Sequence, residues 1–276
     1  MTRAVRPGVV GAWRAARAYC SRSCFPYHAA WRLFRHAGVK GNPTWHESFY
    51  RSLICGRAPW WPSRILVCGS SDETMPEVLS RIAPTAHVTV ADACPAPLAL
   101  IREWAHHAGT YVQTIHSAAP KLAEVGGAFD LVITDGLLSL MPDPHTRDEV
   151  IHRLASLVAD DGLLLYTTRI AGPGGRLEYD APGRVMQAAA ALAWPAPPRE
   201  RWRLARDKIA RLSRPAPFTT PGQLADAFRT AFESVRVFTR PGPPTPALAA
   251  HPAFWAGRGS ICVGVAALTP VKRRRT

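Results

Sequence analysis

The sequence predicts an α/β fold, doubly wound around a mainly parallel sheet, and three observations predict it. Between residues 64 and 169 short apolar runs alternate with stretches of helical period. The first apolar run, Arg64-Ile-Leu-Val-Cys-Gly69, passes straight into a polar turn, Ser70-Ser71-Asp72-Glu73. The second, His87-Val-Thr-Val-Ala-Asp92, ends in a carboxylate roughly twenty residues further on, the spacing at which dinucleotide-type folds hold a ribose diol. Strands covered by helices on both faces read as continuous apolar runs. The strand, turn and distant carboxylate together point to an adenosine-bearing ligand.

Taken in order, residues 1–62 read as mainly helical, a cap packed on the domain that follows. Trp13, Ala16, Tyr19 and Cys20 share one helical face, and Ala30, Trp31 and Phe34 begin another, with Gly38 and Gly41-Asn42-Pro43 as interruptions. A helix over 44–54 follows, with Thr44 as N-cap and Glu47 completing a capping box. Pro59-Trp60-Trp61-Pro62 closes the cap. The central unit, 63–267, then reads strand 65–68, helix 75–82, strand 88–91, helix 97–107, strands 111–115 and 129–134, helix 146–158 and strand 163–168.

Over 171–217 the pattern changes to Gly172-Pro-Gly-Gly175, a helix at 183–192, a proline-rich break and a basic helix at 200–212. This stretch is too short and polar for a core of its own and reads as an inserted lid. Thr219 or Thr220 can cap a helix over 221–232, and strands at 235–238 and 261–266 complete seven. Residues 268–276 form a basic tail.

Composition narrows the function classes. A chain of 276 residues with 47% hydrophobic content suits one α/β domain with additions. Its net charge of +14 comes almost wholly from arginines scattered along the sequence, lysine standing only at 40, 121, 208 and 272. A nucleic-acid surface would gather basic residues on one face, and only Lys272-Arg-Arg-Arg275 is clustered. The six cysteines contain no CxxC pair, so a reduced, intracellular and cytoplasmic protein is expected. Cys20 and Cys24 have the first spacing of a CxxxCxxC cluster motif, but Tyr27 stands where the third ligand belongs. No HxxxH, HxH or paired-carboxylate pattern is present, and no metal is expected. No run approaches the roughly 18 apolar residues of a membrane span. The stretch before Glu47 lacks acidic residues and carries several arginines, as organellar presequences do, and as an arginine-rich amphipathic helix does too.

Two later segments carry a family resemblance. Phe129-Asp-Leu-Val-Ile-Thr-Asp135-Gly-Leu-Leu and Leu157-Val-Ala-Asp-Asp-Gly162-Leu-Leu-Leu-Tyr-Thr-Thr168 look like the fourth strand, glycine turn and fifth strand of a class I S-adenosylmethionine-dependent methyltransferase. Phe218-Thr-Thr-Pro-Gly-Gln-Leu-Ala-Asp-Ala-Phe228, leading into Phe232-Glu-Ser-Val-Arg-Val237, resembles the late helix and sixth strand. The resemblance covers about residues 64–267 and implies a Rossmann-like, seven-stranded sheet, S-adenosylmethionine as cofactor and S-adenosylhomocysteine as product. It departs from the family at the first glycine-rich loop, where GxGxG is replaced by Gly69-Ser70-Ser71-Asp72-Glu73.

Gly69 makes the tight turn and Ser71 takes the place of a second glycine, its hydroxyl available to the methionine end of the cofactor. Asp72 and Glu73 would repel a pyrophosphate but favour a sulfonium and an ammonium; alternatively Asp72 caps the next helix. Asp92 is assigned to the ribose hydroxyls, with Ala93 and Cys94 along the adenine and Ser117 at its edge, unless Ser117 is an ordinary loop serine. Asp135 faces the methionine moiety or acts as general base, or else caps a short helix. Arg169 binds an acidic substrate group or is surface charge. His46 and Tyr50, one helical turn apart, could bind substrate or accept a proton.

The expected function is therefore methyl transfer to oxygen or nitrogen of a small-molecule acceptor, with specialised metabolism and biosynthesis as the expected setting. The altered first loop keeps aminocarboxypropyl transfer or cyclisation open, and RNA methylation and a non-catalytic binding role are further alternatives. Nucleic acid and membrane are not expected partners.

Overall fold

The computed structural model describes residues 8–36, 43–118, 125–141, 143–170, 180–210, 218–241 and 261–271. Among these, seven strands form one sheet: β1 (Arg64–Cys68), β2 (His87–Asp92), β3 (Val112–His116), β4 (Phe129–Asp135), β5 (Val158–Ile170), β6 (Phe232–Pro241) and β7 (Ile261–Pro270). Their spatial order is β3-β2-β1-β4-β5-β7-β6, with β1 to β5 parallel and β7 antiparallel between β5 and β6. The winding direction reverses between β1 and β4. Such a switch point leaves a crevice beyond the carboxyl ends of the strands, where ligands of α/β sheets collect.

The helices are α1 (Val9–Tyr19), α2 (Phe25–His36), α3 (Glu47–Cys55), α4 (Thr74–Ile82), α5 (Pro95–Ala108), α6 (Pro144–Leu157), α7 (Asp180–Leu192), α8 (Pro198–Ala210) and α9 (Pro221–Arg229). Alternation along the strands sorts them into two layers. Ile65, Val67, Leu131, Ile133, Leu163 and Leu165 face a core completed by α3, α4 and α5. Leu66, Cys68, Val132, Leu164 and Tyr166 face the opposite one, filled by Val150, Ile151 and Leu154 of α6 and by Leu224 and Phe228 of α9. In the central strands both faces are dry, which is why β1, β4 and β5 read as nearly continuous apolar runs, whereas the edge strands β3 and β6 are partly exposed and alternate.

Local chemistry fixes the helix starts. Asp143 caps α6 by accepting the Thr146 N–H at 2.7 Å, and Thr220 caps α9 by accepting that of Gln223 at 3.2 Å. At the start of α3, the N-cap expected at Thr44 falls instead at His46. The chain runs through a 3-10 turn, Pro43–His46, before α3 begins at Glu47. The Glu47 carboxylate instead accepts from Arg81 at 2.7 Å and Arg51 at 3.1 Å. β5 is longer than its apolar run at both ends: Val158 pairs with Phe129 of β4 at its start, and the antiparallel β7 pairs with it through Ile170 at its end. Partner strands supply that order, so the pattern of residues 163–168 alone understates it.

The first 62 residues divide between two layers. α3 lies in the sheet core, Tyr50 and Ile54 being fully buried there. α1 and α2 pack instead with α7 and α8: Phe25 meets the rings of Trp13 at 5.4 Å and Trp194 at 4.7 Å, and Trp31 and Ala30 pack on Met186 and Ala190. Residues 171–179 and 211–217, at the ends of the expected lid, and the tail at 272–276 lie outside the described residues. Among the described residues no helix is long and apolar enough to cross a membrane.

α3 seats on the sheet because β7 carries a glycine beneath it. A Cβ at Gly264 would lie 2.6 Å from the Phe49 ring, which is itself held edge-on to Phe238 at 5.4 Å. Gly264→Ala should therefore destabilise the fold by about 1–3 kcal/mol through overpacking. Denaturant unfolding should find most of that loss recovered in the double variant with Phe49→Leu; equal losses with and without Phe49 would contradict the assigned contact.

Candidate functional site

The crevice at the switch point is built around one carboxylate. Asp92, at the end of β2, accepts the Ser70 N–H at 2.9 Å through Oδ2 and the Cys94 N–H at 2.7 Å through Oδ1. Its main-chain carbonyl accepts the Ser117 N–H at 2.9 Å, and the neighbouring Ala91 carbonyl accepts that of Gly69 at 2.8 Å. The ends of β1, β2 and β3 are thus tied at a single point. Burial raises the Asp92 carboxyl above the ordinary aspartate value, against the opposing pull of His28 and the two amide donors. A carboxylate has about four lone-pair sites, so two acceptor positions remain.

Gly69 has φ 72°, a left-handed conformation that favours glycine, and a Cβ there would come within 3.1 Å of Leu137. The turn it starts does not point its acids into the crevice. Asp72 and Glu73 are fully buried beneath α2, where Arg35 donates to Asp72 at 2.5 Å and Arg32 donates to Glu73. Asp72 also accepts the Thr74 N–H at 3.0 Å, but the N-cap of α4 is Glu73, so Asp72 steadies the start of the helix from one residue before the cap position. Ser71 is covered too, its Oγ lying 3.0 Å from the Tyr27 hydroxyl. Tyr27 senses both Asp92 and Asp135, although burial is the main reason its phenol is raised.

Across the crevice, Asp135 ends β4. It does not cap the short 3-10 helix Leu137–Leu140, whose N-cap is Gly136. Its Oδ1 accepts from Thr167 Oγ1 at 2.8 Å, and the Tyr50 hydroxyl lies 2.6 Å from the same Thr167 oxygen. Since Thr167 donates to Asp135, Tyr50 must donate to Thr167, giving a directed chain from Tyr50 through Thr167 to Asp135. Tyr50 is wholly buried, and burial with the charge of Asp135 pushes its phenol well above the usual range. Its hydroxyl is engaged by Thr167.

His46 is 3% exposed, with its ring 6.2 Å from that of Tyr50. Burial lowers its basicity; Asp135 opposes this and the charges of Arg240 and Arg169 reinforce it. Burial thus favours the neutral imidazole over its charged form. Arg169 is 7% exposed, so it is not surface charge. Asp130, at the opposite end of β4, accepts the N–H groups of Ser63 and Arg64 and is structural.

His46, Tyr50, Asp135 and Arg169 are therefore brought into one electrostatic neighbourhood, and Gly69, Asp92, Ala93, Cys94 and Ser117 into another beside it. The Cys94 thiol, expected along an adenine, turns onto Cys20 and Cys24, at 3.4 Å and 3.5 Å. Tyr27, Arg32, Arg35, Thr167 and Arg240 were not singled out by sequence. The spacing of Tyr27, Trp31 and Arg35 marks one helical face, but nothing in it names the loop that face covers. A surface groove of about 520 Å³ between residues 21–23 and Arg203, Leu204, Asp207 and Lys208 lies apart from this crevice.

No protein-family model matches the chain, and no curated protein matches its sequence. Solved structures do match the fold. An O-methyltransferase family protein from Burkholderia thailandensis aligns with 91% of the chain at 18% identity and a TM-score of 0.55; the alignment spans 60% of that protein, under two thirds of its length. The plantazolicin methyltransferase BpumL, solved with a desmethylplantazolicin analogue and S-adenosylhomocysteine, aligns over 94% of this chain and 98% of its own at 9% identity, TM-score 0.53. The N-terminal domain of EvdMO1, with S-adenosylhomocysteine bound, aligns over 83% and 82% at 16% identity, TM-score 0.51. The fold is the Rossmann-like, seven-stranded fold of class I S-adenosylmethionine-dependent methyltransferases.

Two measurements probe this geometry. Burial alone would raise the Asp72 carboxyl, but Arg35 and Arg32 hold it below the ordinary aspartate value. Its contribution to stability is then present above about pH 4 and lost as pH falls through the lower folded value. Arg35→Met should cost about 3 kcal/mol at pH 7 by stranding a buried charge, and denaturant melts should show that difference shrinking on acidification. Thr167→Val should cost roughly 1–3 kcal/mol, because it strands the Tyr50 hydroxyl. Adding Tyr50→Phe should cost little more; additive losses in a double-mutant cycle would refute the chain.

Proposed function

We propose that the chain is an S-adenosylmethionine-dependent methyltransferase acting on oxygen or nitrogen of a small-molecule acceptor. The observation that carries this reading is Asp92, a buried carboxylate at the switch point that grips the loops on either side and keeps two acceptor sites for a vicinal diol. The methyltransferase fold and the S-adenosylhomocysteine bound in the BpumL and EvdMO1 structures support it. Ribose hydroxyls would go to Asp92, the adenine to the strip formed by Ala93, the Cys94 backbone and Ser117, and the methionine end to Gly69, Ser71 and Asp135. The pairing of Asp72 and Glu73 with arginines leaves Asp135 as the carboxylate for the ammonium.

When bound, S-adenosylmethionine supplies a methyl group on an electrophilic sulfonium. The protein has to align a nucleophile with it and keep water out, and such positioning accounts for roughly 7–11 kcal/mol in favourable models. The helical layer of α1, α2, α7 and α8 excludes water. Neutral His46 accepts the acceptor's proton, Asp135 stabilises the resulting imidazolium, and Arg169 holds an acidic acceptor group. Thr167 and Tyr50 fix the Asp135 carboxylate.

Calorimetric titration should detect binding of both S-adenosylmethionine and S-adenosylhomocysteine. Asp92→Ala and the milder Asp92→Asn, checked for folding by circular dichroism, should weaken both by about ten- to a hundredfold per lost charged hydrogen bond. No binding by the wild type would sink the reading. Unchanged binding by the variants would remove the ribose contact. In turnover, S-adenosylhomocysteine as coproduct is expected, and methylthioadenosine in its place would reassign the chemistry to aminocarboxypropyl transfer.

A further inference from the structure

Four soft side chains from three segments converge at the base of the helical layer. Cys20 ends α1, Cys24 immediately precedes α2, His28 lies one turn into α2, and Cys94 is the N-cap of α5. Cys20 Sγ is 3.3 Å from His28 Nδ1 and 3.4 Å from Cys94 Sγ, while Cys24 Sγ is 3.5 Å from Cys94 Sγ. All four atoms lie within 4.8 Å of one another. We propose that Cys20, Cys24, His28 and Cys94 form a tetrahedral Zn²⁺ site that fastens the N-terminal helices to the loop following β2.

The size of the cluster argues for a single ion. With zinc–sulfur bonds near 2.3 Å and zinc–nitrogen bonds near 2.0–2.1 Å, a tetrahedral Cys3His site has ligand atoms roughly 3.5–3.8 Å apart. The three closest separations, 3.3–3.5 Å, come within a few tenths of an ångström of this edge length, and the other pairs, all within 4.8 Å, close to it by a shift of about 1 Å or less. An iron–sulfur cluster needs its thiolates spread around a multi-iron cage and does not fit between atoms this close. A disulfide would use only one pair, and all six cysteines are free thiols. Three thiolates and an imidazole make a closed donor set of the kind that structural zinc takes.

The surroundings suit an anionic site as well. Cys24 and Cys94 sit at the amino-terminal ends of α2 and α5, where helix dipoles favour negative charge. The Cys94 N–H is held by Asp92 Oδ1, so the proposed ligand and the carboxylate of the crevice share one rigid turn. Because Tyr27, Arg32 and Arg35 all project from α2, a metal at its start would set how that helix lies over the Gly69–Glu73 turn. The spacing Cys20-x3-Cys24-x3-His28 is visible in the sequence. Its completion by Cys94 is a product of the fold. The site holds whatever cofactor the crevice takes.

The test uses the full chain, purified without a metal-affinity tag. Elemental analysis should find one zinc per chain, and chelation should remove it, lower the melting temperature and be reversed by one equivalent of Zn²⁺. Replacement by Co²⁺ should give the intense ligand-field bands and thiolate charge transfer of a tetrahedral sulfur-rich site. Cys20→Ser and Cys24→Ser should each lose most of the metal, whereas Cys55→Ser, exposed and remote from the cluster, should keep all of it. A stoichiometry unchanged by Cys20→Ser and Cys24→Ser would overturn the proposal. So would free, titratable thiols at Cys20, Cys24 and Cys94 in a protein that takes up no added Zn²⁺, a disulfide found among these three cysteines under reducing purification, or iron with acid-labile sulfide in place of zinc.

Discussion

Asp72 and Glu73 are adjacent carboxylates with no exposure to solvent, in the turn that leaves β1 at the switch point of the sheet. Two like charges removed from water in this way cost several kcal/mol each unless cations meet them. α2 supplies the cations, Arg32 and Arg35, from a single helical face. The placement of α2 is thus compelled by the turn: without it the β1–α4 junction would hold uncompensated charge at the rim of the crevice. Trp31 packs beside Arg35, 5.1 Å from the guanidinium, and carries α2 onto α7, so the same helix that neutralises the turn also organises the helical layer above it.

This constraint changes what the turn can do. A glycine-rich loop of the usual family form offers bare backbone to a ligand. Here Ser71 is met by the Tyr27 hydroxyl and both acids are turned away, so the loop's chemistry toward the crevice is that of Gly69, Ser70 and Ser71. Negative charge facing the crevice comes from Asp92 and Asp135 instead. They differ in setting: Asp92 is tied to backbone amides that the fold itself must satisfy, whereas Asp135 is oriented by side chains, Thr167 and, through it, Tyr50. The first is built into the sheet; the second can be adjusted without disturbing it.

The fold was legible because its signals are local. β1 and β2 announce themselves as unbroken apolar runs, and their faces sort by simple alternation into two cores. Helix ends encoded by a side chain, such as that at Thr220, were readable; the start of α3 was not, because Glu47 is drawn to Arg81 of α4, a tertiary partner. The site divides in the same way. Gly69, Asp92 and Asp135 follow strands and could be found by counting. Tyr27, Arg35 and Thr167 matter only because distant segments meet, 44 residues apart for Tyr27 and Ser71 and 32 for Thr167 and Asp135. The arginine excess is partly explained by the same route: Arg57, Arg64, Arg147 and Arg236 lie over aromatic rings, which no charge count reveals.

Cys94 shows how these levels join. It follows Asp92 by two residues, begins α5, and turns its thiol to the cysteines of the N-terminal segment while its N–H binds the crevice carboxylate. A β2–α5 turn of this kind cannot move toward the crevice without pulling on α1 and α2, and α2 cannot lift from the Gly69 turn without disturbing Cys24 and His28. The two attachments of α2, ionic near its carboxyl end and thiol-rich at its amino end, therefore hold opposite ends of one lever across the crevice. A ligand that needs the crevice open must work against both. A segment that reads in sequence as an appendage is, in the folded chain, the element that decides how the strand ends are presented.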